Sequence, residues 1–182
     1  VAKLLGTSDR LLPYEEVRRR LRAVEGSGAT LQDVPLDAII GSVGRYQDFT
    51  REFLPLVDED KGRWVGVRLA MTGMEGVPPV ELYRIGDAYF VKDGNHRVSV
   101  ARQLGAKTIQ AWVTPVYSRV PLGPDADAEA IALAGSYAAF LEETGIDHLR
   151  PGADLRLTEP LRYPSLLEHI SVHRYFMAID ED

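Results

Sequence analysis

The segment at residues 93–97, Asp-Gly-Asn-His-Arg, constrains the fold of this chain more than any other stretch. It follows an apolar run at residues 88–91 and precedes residues 98–104, whose sequence predicts a helix. A strand, a tight turn and a helix start, in that order, bring backbone amides together where they hold an anion. Because the first turn of a helix carries a partial positive charge, His96 and Arg97 are poorly placed there unless something negative lies beside them. The segment therefore predicts an anion site, and a phosphate group is the obvious candidate.

Composition excludes several classes of protein. Hydrophobic residues make up 45% of the chain and charged residues 26%, as in an ordinary globular protein. The net charge of −6 disfavours broad binding to DNA, which needs a basic face, but is compatible with a local basic pocket. The sequence has no cysteine, which excludes disulfides, thiol catalysis and thiolate metal sites. No apolar run approaches the ~20 residues of a membrane span, so we expect no membrane partner and a cytoplasmic location.

Periodicity and turn residues predict an α+β fold, a small mixed-sheet domain with an N-terminal helix and a C-terminal helical extension. We expect the N-terminal helical segment at residues 1–30, the mixed-sheet domain at 31–117 and the C-terminal helices at 118–182. The pattern predicts helices at residues 13–24, 62–74, 98–104, 127–143 and 164–177. It predicts strands at residues 34–40, 80–85, 88–91 and 108–113, the middle two forming a hairpin around Gly86 and Asp87.

Several features of residues 34–113 follow one another in a defined order. A Val-Pro-Leu-Asp strand start at 34–37 precedes an arginine-bearing loop at Arg45 and a Val-Pro-Pro-Val-Glu-Leu run at 77–82. Then come the segment at 93–97, a helix that ends in Leu-Gly, and a last strand that begins Thr-Ile-Gln-Ala. In this order and spacing the run, about half of the chain, resembles the ParB/sulfiredoxin-like superfamily.

The resemblance implies a nucleotide-binding domain. The superfamily includes partition proteins that bind and hydrolyse CTP, sulfiredoxins that use ATP, and kinases that phosphorylate free serine. In these proteins the residues that match Gly94, His96 and Arg97 line the nucleotide phosphates. The implied cofactor is therefore a nucleotide, CTP or ATP/ADP, with Mg²⁺, and the implied activities are triphosphate hydrolysis and phosphoryl transfer.

Departures from the family pattern leave the subfamily and the base open. Asn95 stands where sulfiredoxins carry their catalytic cysteine, and because the chain has no cysteine, sulfinic acid repair is excluded. Partition proteins carry Glu-Arg in place of Asn95 and His96. The serine kinases carry a run of the Asp-Gly-His-Thr-Arg type, which is close to residues 93–97 but not identical.

Each residue of this segment has a structural alternative to a role at the site. Arg97 is expected to bind phosphate or, alternatively, to pair with Asp93, and His96 to bind phosphate or to cap a carbonyl. Asn95 suits the N-cap of the helix, from which its amide would still reach a ligand. Asp93 either holds the turn with Gly94 or is a catalytic residue that coordinates Mg²⁺ or accepts a proton.

Two further arginines are candidates for nucleotide binding. The loop at 41–45, Gly-Ser-Val-Gly-Arg, is compatible with a phosphate cradle to which Arg45 adds charge. It lacks the Lys-Ser/Thr ending of a P-loop and is equally compatible with a plain connecting turn. Arg68 is carried over from the resemblance, because sulfiredoxins place basic residues of the matching helix against the nucleotide. A solvated helix face is the alternative for Arg68.

Two other clusters have simpler interpretations. The arginines at residues 18–22 either contact nucleic acid or form a solvated face near the negative end of a helix, and we favour the solvated face. His169 and His173 are four residues apart, a spacing that suits a metal, but no third ligand is visible and no metal site is expected.

The leading hypothesis is a nucleotide-binding protein that acts as a nucleoside triphosphatase or a phosphotransferase. One rival is a DNA-associated regulator that nucleotide switches. A second rival is a non-catalytic interaction module whose C-terminal helices form a homodimer, and a third is a kinase of a free amino acid.

Overall fold

The computed structural model describes residues 10–56, 78–160 and 162–177, and seven strands within these ranges form one mixed sheet. The strands are β1 (Leu12–Pro13), β2 (Val24–Glu25), β3 (Thr30–Pro35), β4 (Ile39–Ser42), β5 (Val80–Ile85), β6 (Ala88–Asp93) and β7 (Thr108–Tyr117). Their order in the sheet is β1-β4-β6-β5-β7-β2, and β3 pairs with β7 as well.

The helices of these ranges follow the strands in two groups. The helices are α1 (Tyr14–Arg20), α2 (Asn95–Gln103), α3 (Ala128–Thr144), α4 (Ile146–Leu149) and α5 (Arg162–Phe176), with a 3₁₀ turn at Leu36–Ala38. α1 follows β1 directly and α2 follows β6 after one glycine, whereas α3 to α5 follow the last strand.

The neighbouring strands β1, β4 and β6 run parallel to one another. Leu12 of β1 pairs with Gly41 of β4, and Ser42 of β4 pairs with Val91 of β6, so their carboxyl ends lie at one edge of the sheet. α1, the segment at 43–46 and α2 all begin at this edge, because each follows one of the three strands. Ligands of sheets with parallel strands commonly bind outside the carboxyl ends, so this edge is where a site is expected.

The two faces of the sheet contribute to two different cores. Tyr89 and Val91 pack into one cluster, which α2 covers with Val98. The intervening Phe90 packs into the other cluster, to which α1 contributes Tyr14. Alternation along β6 is what a strand buried on both faces requires. A third cluster of buried side chains joins α3 to α5.

The α+β class with a mixed sheet is confirmed, and so are several elements. The hairpin has the predicted two-residue turn, since Ile85 pairs with Ala88 and Gly86 has a φ of 62°. α3 differs from its predicted bounds by one residue at each end, and the Asp127 side chain caps it by accepting from the Ala130 amide at 2.8 Å. Strands β1 and β2 come from the predicted N-terminal segment and belong to the sheet. The predicted division of the chain into three parts stays a prediction.

The predicted strand at residues 34–40 is wrong. β3 ends at Pro35, the 3₁₀ turn follows, and β4 begins at Ile39. Pro35 has no amide to continue the ladder, and the Leu36 amide turns to the Lys107 carbonyl at 3.0 Å. The turn lets β3 pair antiparallel with β7 while β4 pairs parallel with β6.

The predicted helix at residues 13–24 is too long, because α1 ends at Arg20 and Arg22 has a φ of 52°. Val24 and Glu25 then pair with β7. The last strand is longer than predicted and reaches Tyr117, and α5 spans Arg162–Phe176 rather than 164–177. The predicted helix at 62–74, with Arg68, lies outside the described residues. Within the described ranges, no helix has the length and apolar character needed to cross a membrane.

Position 41 of β4 requires glycine, because the neighbouring strands β1 and β6 leave no room for a side chain. A Cβ at this position would lie 2.4 Å from the Leu12 carbonyl oxygen and 2.4 Å from Cδ1 of Phe90. We expect Gly41→Ala to lower the free energy of unfolding by about 1–3 kcal/mol, the usual cost of overpacking, measured by chemical denaturation. Gly44→Ala is the matched control, because a Cβ there meets no atom within 4 Å. An equal loss in both variants would contradict this interpretation.

Candidate functional site

The segment after β4 is fastened to the adjacent strand β6. The Ser42 side chain is fully buried, and its hydroxyl lies within hydrogen-bond reach of the carbonyl oxygens of Gly44 and Val91, the latter at 3.1 Å. The Val43 amide donates to the same Val91 carbonyl at 2.8 Å. These bonds hold the chain that leads to Arg45 against the strand that leads to α2.

Gly94, and not Asn95, is the N-cap of α2, so the predicted capping role of Asn95 is wrong. Gly94 has a φ of 108°, and a Cβ there would lie 2.6 Å from Cγ1 of Val80. Only glycine tolerates both the positive φ and the lack of room for a Cβ. The N-cap therefore falls at Gly94, one residue earlier than expected. Because the helix begins at Asn95, it is three residues longer at its start than the predicted 98–104.

The start of α2 is therefore left without a capping side chain. The N-cap residue Gly94 has no side chain that could accept a bond from the first turn. The first amide that donates back into the helix is that of Val98, which bonds the Gly94 carbonyl at 3.0 Å. The amides of residues 95–97 are those that a helix cannot satisfy internally. Their partial positive charge makes this turn suitable for an anion.

Arg97 is engaged by protein groups. Its guanidinium donates to the carbonyl oxygens of Pro78 at 2.7 Å and Pro79 at 2.8 Å, and it forms an ion pair with Asp93. Its side chain is only 15% exposed, whereas that of Asp93 is 69% exposed. Arg97 thus joins the start of β5 to the start of α2, which is the structural alternative raised above. A direct role of Arg97 at a phosphate stays a prediction.

Arg45 and His96 meet across the edge of the sheet. Nη1 of Arg45 lies 2.9 Å from Nε2 of His96, and Nε of Arg45 donates to Oδ2 of Asp48 at 2.8 Å. A guanidinium only donates, so in this hydrogen bond Nε2 of His96 is the acceptor.

The Phe49 ring lies beside the Arg45–His96 contact, and the backbone of Arg45 is left-handed. The His96 ring lies edge-on to the Phe49 ring at 5.3 Å, and the Arg45 guanidinium carbon lies 6.0 Å from the same ring centre. Arg45 itself has a φ of 59°, which is uncommon for a residue with a side chain. Non-glycine residues held in this region cluster at functional sites, where the surrounding structure fixes them.

Several side-chain polar atoms on α2 lie buried without a hydrogen-bond partner in the described part of the chain, and Nε of Arg102 is one of them. Two others are Oδ1 of Asn95 and the hydroxyl oxygen of Ser99, one helical turn apart, and Ser99 is fully buried. Buried polar atoms are nearly always hydrogen-bonded in native proteins, so each unpaired one calls for an explanation.

Arg102 fixes α2 relative to β4, a role that the sequence did not reveal. Its Nη2 donates to the carbonyl oxygens of Leu36 at 2.6 Å and Ile39 at 3.1 Å, and its guanidinium carbon lies 5.3 Å from the Phe53 ring centre. Burial lowers the pKa of Arg102 from its ordinary value. The bonds of Arg102 to these carbonyl oxygens depend on the 3₁₀ turn before β4, and no local sequence pattern indicates them.

The remaining candidates lie outside this arrangement. Three arginines of the 18–22 cluster form ion pairs with carboxylates, Arg18 with Glu15, Arg20 with Glu16 and Arg22 with Glu142. Across the described ranges, no three side chains of His, Cys, Asp or Glu type are grouped to hold a metal ion. His169 and His173 lie on α5, which packs against α3 and not against this edge.

Comparisons with known proteins find similarity among solved structures but none in sequence. No model of a known protein family and no curated protein matches the sequence of this chain. Among solved structures, the chain is similar to a sulfiredoxin from Arabidopsis thaliana, with 18% sequence identity and a TM-score of 0.35. The match covers 46% of this chain and 83% of the sulfiredoxin. A likeness at this level assigns neither a ligand nor an activity.

The two partners of the Arg97–Asp93 ion pair differ in burial and therefore in their expected contribution to stability. We expect Arg97→Met to lower the free energy of unfolding by about 1–3 kcal/mol, because two carbonyl oxygens lose a charged donor. Asp93→Asn should cost less than about 1 kcal/mol, because the carboxylate is mostly exposed. Urea denaturation of both variants measures the difference, and a larger loss for Asp93→Asn than for Arg97→Met would refute this account of the pair.

Proposed function

We propose that this protein binds a nucleotide through its phosphate groups at the edge where β4 and β6 end. The observation that carries the proposal is the Arg45–His96 contact, which joins the segment at 43–46 to the start of α2 without a capping side chain. A cationic side chain beside the amides that a helix cannot satisfy internally is the combination that recognises phosphate.

The groups around this contact fit a phosphate chemically. The amides of residues 95–97 would donate to phosphate oxygens, and Arg45 would neutralise charge. His96 would orient the Arg45 guanidinium by accepting from Nη1, so its contribution is to position rather than to carry charge. Gly44 is exposed and has open space above its Cα, which lets a ligand approach the backbone closely.

The nucleotide is CTP or ATP/ADP with Mg²⁺ in this proposal, as the resemblance at residues 34–113 implies. Asp93 is the residue we assign to the metal or to the proton of an attacking hydroxyl, because its carboxylate is exposed at the same strand end. Phosphate release at an unchanged rate in Asp93→Asn would remove that assignment. Arg68 remains a proposed contact from a part of the chain that is not described.

The rival hypothesis of a DNA-associated regulator has little support from α1. Three of the four arginines at residues 18–22 are balanced by carboxylates, which leaves no continuous basic face on that helix. Nucleotide binding is the function that the described geometry favours.

A thermal-shift screen with CTP, ATP, ADP and GTP, each with Mg²⁺, tests the proposal. At ~100 times its dissociation constant, the bound nucleotide should stabilise the protein by about 2.7 kcal/mol. Arg45→Ala should weaken the binding at least about tenfold, because a charged hydrogen bond contributes roughly 1.5–3 kcal/mol.

Arg84→Ala is the matched control for Arg45→Ala. Arg84 also forms an ion pair three residues along the chain, with Asp87 at 3.3 Å, but it lies at the hairpin, at the opposite end of β6 from α2. It should bind nucleotide like the unaltered protein. Absence of stabilisation by all four nucleotides would refute the proposed function.

A further inference from the structure

A groove of about 710 Å³ lies between α1 and the segment at 43–46. The segment lines it with Val43 and Tyr46. The charged residues that line the α1 side are Glu15, Glu16, Arg18, Arg19 and Arg22. The volume is within the range of small-molecule sites, roughly 300–1,000 Å³.

The groove shares its wall with the proposed phosphate site. Arg45 contacts His96 at the start of α2, while Val43 and Tyr46, on either side of it in the chain, line the groove. β1 and β6 flank β4 in the sheet, so α1 and α2 flank the segment that follows β4. One ligand that reaches across this segment would therefore contact both places.

Among the arginines that line the groove, Arg19 is the one without an ion pair in the described part of the chain. Arg18 pairs with Glu15 at 3.0 Å, and Arg22 pairs with Glu142. Arg19 is exposed, and no carboxylate of the described ranges forms an ion pair with it. Tyr46 lines the same groove and is half-buried.

We infer that this groove holds the base and sugar of the nucleotide whose phosphates bind at Arg45 and α2. The inference rests on the proposed function and adds the place where the base and sugar bind, which is beside α1. A planar heterocycle suits these two residues, because both a guanidinium and a tyrosine ring stack on the faces of bases. Phosphate alone would not use the groove, since the segment at 43–46 separates the two places.

Isothermal titration of two probes, each with Mg²⁺, tests the inference. The probes are a nucleoside triphosphate, ATP or CTP, and inorganic tripolyphosphate, which has no base. Arg19→Ala should weaken the nucleotide about three- to tenfold, as loss of a cation–π contact does, and should leave tripolyphosphate unchanged. Arg45→Ala should weaken both probes, because it acts on the phosphates.

Arg20→Ala is the matched control, since it removes the same charge from the same helix. Arg20 is exposed, pairs with Glu16 at 2.6 Å and does not line the groove. Its partner Glu16 does line the groove, so Arg20→Ala can change the binding of both probes through charge alone, but it should not weaken the nucleotide more than tripolyphosphate. Selective weakening of the nucleotide is therefore the mark of a contact with the base.

The outcomes distinguish this inference from the proposed function. If Arg19→Ala weakens both probes equally, weakens neither, or behaves like Arg20→Ala, the groove does not hold the base and the inference is wrong. Nucleotide binding that depends on Arg45 would survive those results. If neither probe binds the unaltered protein, the proposed function fails and the groove inference fails with it.

Discussion

The parallel pairing of β4 with β6 is the interaction on which the rest of the site depends. Ser42 and Val43 both bond the Val91 carbonyl, which carries the following segment to the start of α2. Arg45 and His96 are 51 residues apart in the chain and meet only because these two strands end side by side. The close contacts at Gly41, which admit no side chain, are the steric condition for that pairing.

The side chains of His96 and Arg97 at the start of α2 are engaged by protein groups and are not surplus positive charge. Arg97 is balanced by Asp93 and by two carbonyl oxygens, and His96 accepts a hydrogen bond from Arg45. The two residues that looked like surplus cations are therefore used to build and orient the turn. In the proposed site the helix amides together with Arg45 would attract the anion, so the phosphate hypothesis depends on other groups than those that first indicated it.

The parts of the fold that local chemistry determines were predictable. The hairpin follows from a two-residue turn at Gly86 and Asp87 between alternating strands, and α3 follows from an aspartate cap and an apolar stripe. The boundary between β3 and β4 was not predictable, because the 34–40 run reads as one strand and its change of direction depends on the pairing of Leu36 with Lys107. Likewise the cap at Gly94 depends on the approach of Val80, and the Arg45–His96 contact depends on strand order. Such long-range constraints leave no periodic signal in the sequence.

The most direct measurement is a titration of the isotope-labelled protein with a nucleoside triphosphate and Mg²⁺, followed by the chemical shifts of backbone amides. The account predicts that the largest changes occur at residues 43–46 and 94–97, on both sides of the Arg45–His96 contact. Changes confined to other surfaces, such as β3 or α5, or no change at any amide, would contradict a phosphate site at the edge where β4 and β6 end.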